Sequence, residues 1–442
     1  MSSDWLLDYL SATLLLWVLF RTRLETRTKE SNTHASHWEF FTKLTGVMKV
    51  KVVALRSTEG GWLASRCEPA LPGRIKLIAS CRAPRACHLK VLKCLDKQVR
   101  VAVRRWLRLP KDVPIAYFHA ACEDGGLGIP PFRTAIPALV HSRLMSMADS
   151  SSKAVRDVFR HQSVQKSIRW AEKFLTIGGK SLLCSNDRKK HWASLLHQAN
   201  DGVELRECAR VYASSSWVDR ESAGITGRDY VQFHHVRINS LPTRIRTSRG
   251  QRNDARPLNC RAGCGTTETA AHVIQGCHRT HGGRILRHDA ICRIAVSSLR
   301  QAGWRTRENP HFHTRSGLRK PDIVADKEGV VKVVDAQIVS AATPLDDSHS
   351  RKVAKYDTPE LKQLIATEIG TEVSNVSVTS ITISWRGIWS SRSAADLCDL
   401  GLKGILNGIT TRALQGSHTN WSRWNKMTNI VHQGFRTRAG IG

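Results

Sequence analysis

Asp322 and Asp335 flank a short polar run, Asp326-Lys327-Glu328-Gly329, with the apolar Ile323-Val324-Ala325 on one side of it and Val330 to Val339 on the other. A polar, glycine-ending run between two such segments reads as a hairpin turn. With an even loop and flush pairing, the odd separation of the two aspartates puts both carboxylates on one sheet face. With the loop at Lys327 to Val330 they are direct cross-strand neighbours. Like charges so placed destabilise a sheet, so the pair asks for a compensating cation, and a divalent metal is the obvious one. Further along, Leu345 to Tyr356 has acidic residues and Ser348 near its beginning, as a helix start does. His349, Lys352 and either Lys355 or Tyr356 share one face of that helix. Packed beside the hairpin, it brings an ammonium to the two carboxylates. The set matches metal-assisted phosphodiester hydrolysis: Mg²⁺ on Asp322 and Asp335 to polarise the scissile phosphate and acidify a bound water, and a lysine to orient that water or offset developing charge. A plain structural ion pair is the other reading of the same residues.

A second set of chemically capable residues precedes the hairpin: Cys260-x3-Cys264-x7-His272-x4-Cys277. Three thiolates and an imidazole fill a tetrahedral zinc shell with no position left for water, which makes the expected Zn²⁺ structural. Gly263 and Gly265 let the chain wrap tightly around such an ion. Three unrelated cysteines and a helical histidine are the alternative. His278, His281 and His288 are left over, available to phosphate or to the shell.

The elements that must carry these groups belong to a strongly basic chain. Its 442 residues suffice for two to four domains, and 68 basic against 37 acidic residues give a formal charge of +31, which points to a polyanionic partner, nucleic acid first. Twelve unevenly placed cysteines, of which only Cys260, Cys264, Cys277 and Cys292 cluster, argue against a disulfide framework and for a reducing compartment. Trp5 to Phe20 is mostly apolar but short for a span, carries Asp8, and lacks the basic start and cleavage site of a signal peptide. No stable membrane association is expected.

From Leu71 the pattern is helical. Between Leu89 and Leu109 the apolar Leu92, Leu95, Val99, Val103 and Trp106 recur at helical spacing, and Lys93, Lys97, Arg100, Arg104 and Arg108 follow the same period on another face. Those five cations form either a solvated face or a contact with nucleic-acid backbone. Pro110 and Pro114 end the helix, and Glu123 to Pro131 is a turn-rich junction. Ala135 to Met147 and Ser150 to Phe174 read as packing helices. Arg237, Arg244, Arg246, Arg249, Arg252 and Arg256 crowd a segment with Pro242, Gly250 and Pro257, which reads as a basic, phosphate-tracking linker. Val376 to Trp385 alternates as a strand; its neighbours Trp385 and Trp389 suit a core better than a base-stacking platform, and Trp421 and Trp424 follow in the tail.

One ordered series gathers these motifs. The basic helix and His119-Ala120 precede Gly125-Gly126-Leu127-Gly128-Ile129. Then come Leu241-Pro242-Thr243-Arg244, the cysteine-histidine knuckle with Thr280-His281 and Arg287-His288-Asp289, Lys320-Pro321-Asp322, and Asp335. From about Leu71 to the C-terminus this resembles the C-terminal part of the polyprotein of ribosomal-DNA-inserting non-LTR retrotransposons of the R-two type. The resemblance implies an α+β multidomain chain: a helical, basic N-terminal half (thumb and linker), a small zinc knuckle, and a restriction-endonuclease-like α/β core with a mixed sheet. The implied layout is an apolar leader over 1–40, a reverse-transcriptase thumb-like region over 41–135, a helical linker over 136–250, the knuckle over 251–295, the endonuclease over 296–410 and a tail over 411–442.

By the same resemblance Asp322 and Asp335 are catalytic acids and Lys352 is the catalytic lysine, with Lys355 second. Gln337 stands where a standard PD-D/E-x-K site has its lysine. Implied partners are double-stranded target DNA, expected to be ribosomal DNA, and the element's RNA; the implied reaction is metal-dependent nicking that primes reverse transcription, in the nucleus. No aromatic-x-Asp-Asp motif is found, so polymerase activity is not expected and the sequence reads as a fragment of such a polyprotein. The alternative is an inactive remnant that only binds nucleic acid.

Overall fold

The computed structural model describes residues 86–219, 224–250, 257–340 and 342–438. The apolar stretch Trp5 to Phe20, the sequence from Leu71 to 85, Arg252 and Arg256 lie outside the described residues. Helix α1, Ala86–Trp106, buries Leu92, Leu95 and Val103 and leaves Val99 and Trp106 half-covered, as its spacing predicts. The described chain divides into two compact units, one holding residues up to Leu95 together with Phe132–Leu183, the other holding Asp96–Pro131 and everything from Cys184. In the first, helices Phe132–Met145, Lys153–Arg160 and Gln162–Leu175 lead into a two-stranded hairpin, Thr176–Ile177 with Lys180–Ser181. Ala138, Leu175 and Leu182 form its small apolar centre.

The second unit is built around a four-stranded mixed sheet in the order β1 (Arg305–Glu308), β2 (Ile323–Lys327), β3 (Val330–Val339), β4 (Val376–Ser384). The first three strands are antiparallel neighbours, and β4 joins β3 in parallel after a helical crossover. The β2–β3 loop is only Glu328-Gly329, both at positive φ (49° and 80°), the two-residue turn whose twist suits a hairpin. The turn is thus tighter than Asp326-Lys327-Glu328-Gly329: Asp326 lies on β2, buried, and accepts a hydrogen bond from Arg305 Nε at 2.8 Å.

Both faces of the sheet are covered, so its strands read as continuous apolar runs. On one face Ile323, Ala325, Val334, Ala336, Ile381 and Ile383 pack with Ile291, Ala295, Val296 and Leu299 of helix α2 (His281–Gln301). On the other, Val324, Val331, Val333 and Val376 meet Tyr356 of α3 (Leu345–Tyr356) and Leu361 and Ile365 of α4 (Pro359–Ile369). Each such buried aliphatic side chain contributes roughly 1.5–3 kcal/mol. Helix α5 (Ser391–Asp399) and the long α6 (Leu406–Arg438) complete the first layer; α6 sends Ile409 and Ala413 into it, and Trp424 against the knuckle cysteines. Trp385 and Trp389 are buried core residues. No disulfide forms and no helix is long and apolar enough to cross a membrane among the described residues.

Candidate active site and metal centre

Strand β3 outruns β2, and the site lies where β2 stops. Ile323 pairs with Val334, so Asp322 is next in register opposite Asp335. Beyond that point the backbone groups of β3 on this edge have no strand to bond, and buried backbone polar groups need partners. Side chains supply them. The Ala336 N–H donates to Asp322 Oδ2 at 2.7 Å, the Ala336 carbonyl meets His288 Nε2 at 3.2 Å, and the Ile338 carbonyl accepts from Gln275 Nε2 at 2.7 Å. Asp322 is fixed by its main chain as well, its carbonyl accepting from Asn309 N at 2.8 Å.

Asp335 is 2% exposed and ion-paired with Lys352 from α3. Burial first, and the charge of Asp322 second, push its carboxyl above the usual range, against the pull of Lys352. Lys355, one turn of phase away, instead sits 3.3 Å from Tyr356 Oη and 4.9 Å from its ring centroid. Tyr356 donates to the Lys320 carbonyl at 3.0 Å; burial and then Asp335 raise its phenol. Of the side chains expected on one face, His349 turns away: it is buried, with Nδ1 2.9 Å from Ser380 Oγ and Nε2 3.4 Å from Asp396. Gln337 Nε2 donates to the Ser348 carbonyl at 2.9 Å and to Thr382 Oγ1 at 2.8 Å, so the glutamine ties β3 to the helix that carries Lys352.

His288 enters from α2. Its Nε2 is 3.1 Å from Asp322 Oδ2, and that hydrogen bond, helped by Cys292, pushes the imidazole up to about 11. Two carboxylates thus face two cations, Lys352 and His288. Sequence reasoning left His288 as a spare; its i,i+4 spacing from Cys292 marked a shared helix face, but nothing in the sequence pointed that face at Asp322.

The Cys/His cluster is a separate centre. Donor atoms of Cys260, Cys264, His272 and Cys277 all lie within 4.8 Å of one another, with Cys277 Sγ 3.9 Å from Cys260 Sγ and 3.5 Å from Cys264 Sγ. Such a cluster can hold a metal such as zinc. The loop closes because Gly263 and Gly265 take φ of 79° and 71°, and an Asn259–Thr267 bridge brings its ends together. Burial and the facing thiols push Cys277 up to about 12, while burial lowers His272 and keeps it neutral. His278 Nδ1 stands 3.3 Å from Cys264 Sγ; His281 lies 3.4 Å from Arg284. Beneath the loop, fully buried Glu268 accepts from the backbone amides of Arg244 (2.8 Å) and Arg261 (3.0 Å).

The basic residues expected to meet nucleic acid are placed unequally. Lys93 and Lys97 are exposed on α1, whereas Arg100 approaches His119 Nε2 at 3.2 Å and Arg104 donates to the Val113 carbonyl at 3.1 Å and covers the Phe118 ring. Arg108 is off the helix, at φ 52°. A single five-cation face therefore does not form, because two arginines pack inward and the helix ends first. The expected arginine linker is also folded in: Arg244–Ser248 is a short helix capped by Thr243. Arg249 NH2 donates to Asp201 at 2.9 Å and Arg246 to Asp112 at 2.9 Å, while Arg244 donates to the Asn259 carbonyl at 2.7 Å. Burial alone would raise Asp201; the guanidiniums of Arg249 and Arg246 win and hold it low. Arg237 is likewise buried, against Trp217.

No family model matches the chain. The chain is similar to the retrovirus-related Pol polyprotein from type-1 retrotransposable element R2 of Nasonia vitripennis, 40% identical over 335 residues, 75% of this chain and 31% of that protein. It is 35% identical to the corresponding polyprotein from type-2 element R2DM of Drosophila melanogaster over 331 residues, 74% of this chain and 31% of the relative. A type-1 R2 Pol polyprotein of Popillia japonica is 32% identical over 335 residues, 74% of this chain and 67% of the relative. The chain spans less than a third of the length of the first two.

Proposed function

This chain belongs to the Pol polyproteins of R2 retrotransposable elements, and from that premise we propose that its second unit holds, around the four-stranded sheet, a metal-dependent endonuclease that nicks double-stranded DNA. One observation carries the reading: the hairpin register sets Asp322 opposite the buried Asp335, and α3 delivers Lys352 to that pair. Two carboxylates, one on β3 and one just ahead of β2, the β3 one raised by burial and then by its neighbour's charge, form the oxygen donor set that suits Mg²⁺. Bound there, the ion would supply Lewis acidity toward a phosphodiester and lower the pKa of a coordinated water.

The protein's own residues do the rest. The Ala336 amide and the Asn309 amide fix Asp322 at side chain and carbonyl, so that its carboxylate is presented without a rotamer search. Lys352 holds its ammonium against Asp335, where it can orient a water or offset charge on the phosphate oxygens. Gln337 keeps α3, and with it Lys352, at a fixed height on the sheet. The knuckle is read as a Zn²⁺-stabilised fold element that, with the basic surface, engages DNA and the element's RNA. We propose ribosomal DNA in the nucleus as the target, with the nick priming reverse transcription, as the motif resemblance implies.

The test is a supercoiled plasmid carrying ribosomal DNA, incubated with purified protein and Mg²⁺. Wild type is expected to give nicked circles, and Asp322→Ala and Asp335→Ala none, with salt-sensitive binding retained by all three. Binding without nicking in wild type as well would overturn the nuclease reading in favour of a nucleic-acid-binding module.

A further inference from the structure

Beside the carboxylate pair lies a donor set of a different kind. Helix α2 presents His288 and Cys292 one turn apart, and Asp322 faces both from the end of β2. His288 Nε2 is 3.1 Å from Asp322 Oδ2, Cys292 Sγ is 4.0 Å from His288 Nε2, and the three donor atoms lie within 4.8 Å of one another. Zinc bonded to sulfur, nitrogen and oxygen at ~2.0–2.3 Å brings its ligands to such mutual distances after small side-chain rotations.

A second observation points the same way. The other ring nitrogen of His288, Nδ1, is 3.3 Å from Asp289 Oδ1. A carboxylate behind a histidine orients the ring, and once an arriving ion displaces the Nε2 proton that His288 otherwise shares with Asp322, releasing it to solvent, that carboxylate strengthens the nitrogen as a ligand. The side chains of His288 and Asp322 are 30% and 14% exposed, so a hydrated ion can reach them.

We propose that His288, Cys292 and Asp322 form a thiophilic metal site, selective for Zn²⁺-like or Cd²⁺-like ions over Mg²⁺, that competes with the carboxylate pair for Asp322. Selectivity follows from the donors: a thiolate and an imidazole favour soft and borderline ions, whereas Mg²⁺ prefers oxygen. Three protein ligands leave one position for water, unlike the closed Cys/His cluster at Cys260 to Cys277. An ion held here draws the Asp322 carboxylate toward α2, and nicking stops. Binding stands independently of the nuclease reading; the effect on nicking rests on it.

The probe is Cd²⁺, whose thiolate bonds absorb in the ultraviolet, added to full-length protein whose Cys260–Cys277 cluster is already saturated with Cd²⁺. Wild type is expected to gain one further thiolate–metal band that Cys292→Ser lacks, with the first band unchanged in both. His288→Ala should weaken the added step at least about tenfold. Identical titrations of wild type and Cys292→Ser would overturn the site. In the plasmid assay with Mg²⁺, Cd²⁺ should inhibit wild type at concentrations at least about tenfold below those needed for Cys292→Ser. Equal inhibition would overturn the competition for Asp322. Absence of nicking before any Cd²⁺ is added would instead refute the nuclease reading and leave the spectral result to decide the site.

Discussion

The Cys/His cluster and the carboxylate pair both gather metal-capable donors, yet they meet the electrostatic cost of doing so in opposite ways. Cys260, Cys264 and Cys277 face one another with the neutral His272 nearby, and burial raises Cys260 and Cys277. Thiols raised in this way give up their protons to an arriving ion, which couples metal binding to folding of the loop. Asp322 and Asp335 instead sit among cations that the fold itself provides: Lys352 on one and His288 on the other. On the proposed reading the first centre depends on its ion for structure, whereas the second holds its side chains through ion pairs of its own and would use an ion for chemistry.

The sharpest way to break this contrast is to remove the metals separately. Cys260→Ser, or a zinc chelator, should unfold the loop around residues 258–280 and loosen Val273 and Trp424, which pack on it. The loss should be on the order of 5 kcal/mol or more, since structural zinc supplies folding free energy directly. Amide hydrogen exchange in that loop reads it out. Withdrawal of Mg²⁺ alone should leave exchange in β2 and β3 unchanged, and equal loosening of both regions would erase the distinction.

A second test uses protons. Because Cys277 without metal ionises only near about 12, zinc uptake at neutral pH must expel its proton and that of Cys260. Thiolate binding therefore strengthens as pH rises and weakens as it falls. Apparent zinc affinity should climb at least about tenfold per pH unit between about pH 6 and about pH 8. A competition titration against a chromophoric chelator measures it; a flat profile would mean that the thiols are already ionised and that the loop pre-forms its site.

Third comes the choice of lysine. Lys352→Met leaves the buried Asp335 without its cation and should cost about 3 kcal/mol in denaturant midpoints, together with nicking. Lys355→Met removes only contacts with Tyr356 and should cost at most about 1 kcal/mol. Equal losses would mean that the ammonium at Asp335 is replaceable by its neighbour one helical turn on.

What the sequence revealed of these two regions follows the range of the interactions involved. The Cys/His cluster was legible because all four ligands fall within one short loop, whose glycines announce its turns. The hairpin was legible because parity alone puts Asp322 and Asp335 on one face. The phase of α3 was not: His349, Lys352 and Tyr356 share a helical stripe, and only packing against Ser380 and Asp396 shows that His349 turns from the carboxylates. His288 was opaque for the same reason, since its partner comes from a strand end reached through tertiary packing. The arginines misled most. Arg246 and Arg249 look like free cations until Asp201 and Asp112 arrive from far along the chain to neutralise them.

The smallest expected effect tests the feature on which the carboxylate pair depends. Register in a hairpin is fixed by its turn, and a slip of one residue moves every side chain to the other face. Glu328 and Gly329 both adopt left-handed backbone, which costs a β-carbon-bearing residue about 1 kcal/mol more than glycine. Space is available at Gly329, whose nearest neighbour for an added methyl would be Thr371 Oγ1 at 4.0 Å, so Gly329→Ala should report backbone strain alone. The expected outcome is a loss of about 1 kcal/mol in stability with nicking retained, because Val331, Val333 and Val334 still choose the register by their burial. Loss of nicking at full stability would mean that the turn, and not the apolar pattern of β3, holds Asp322 opposite Asp335.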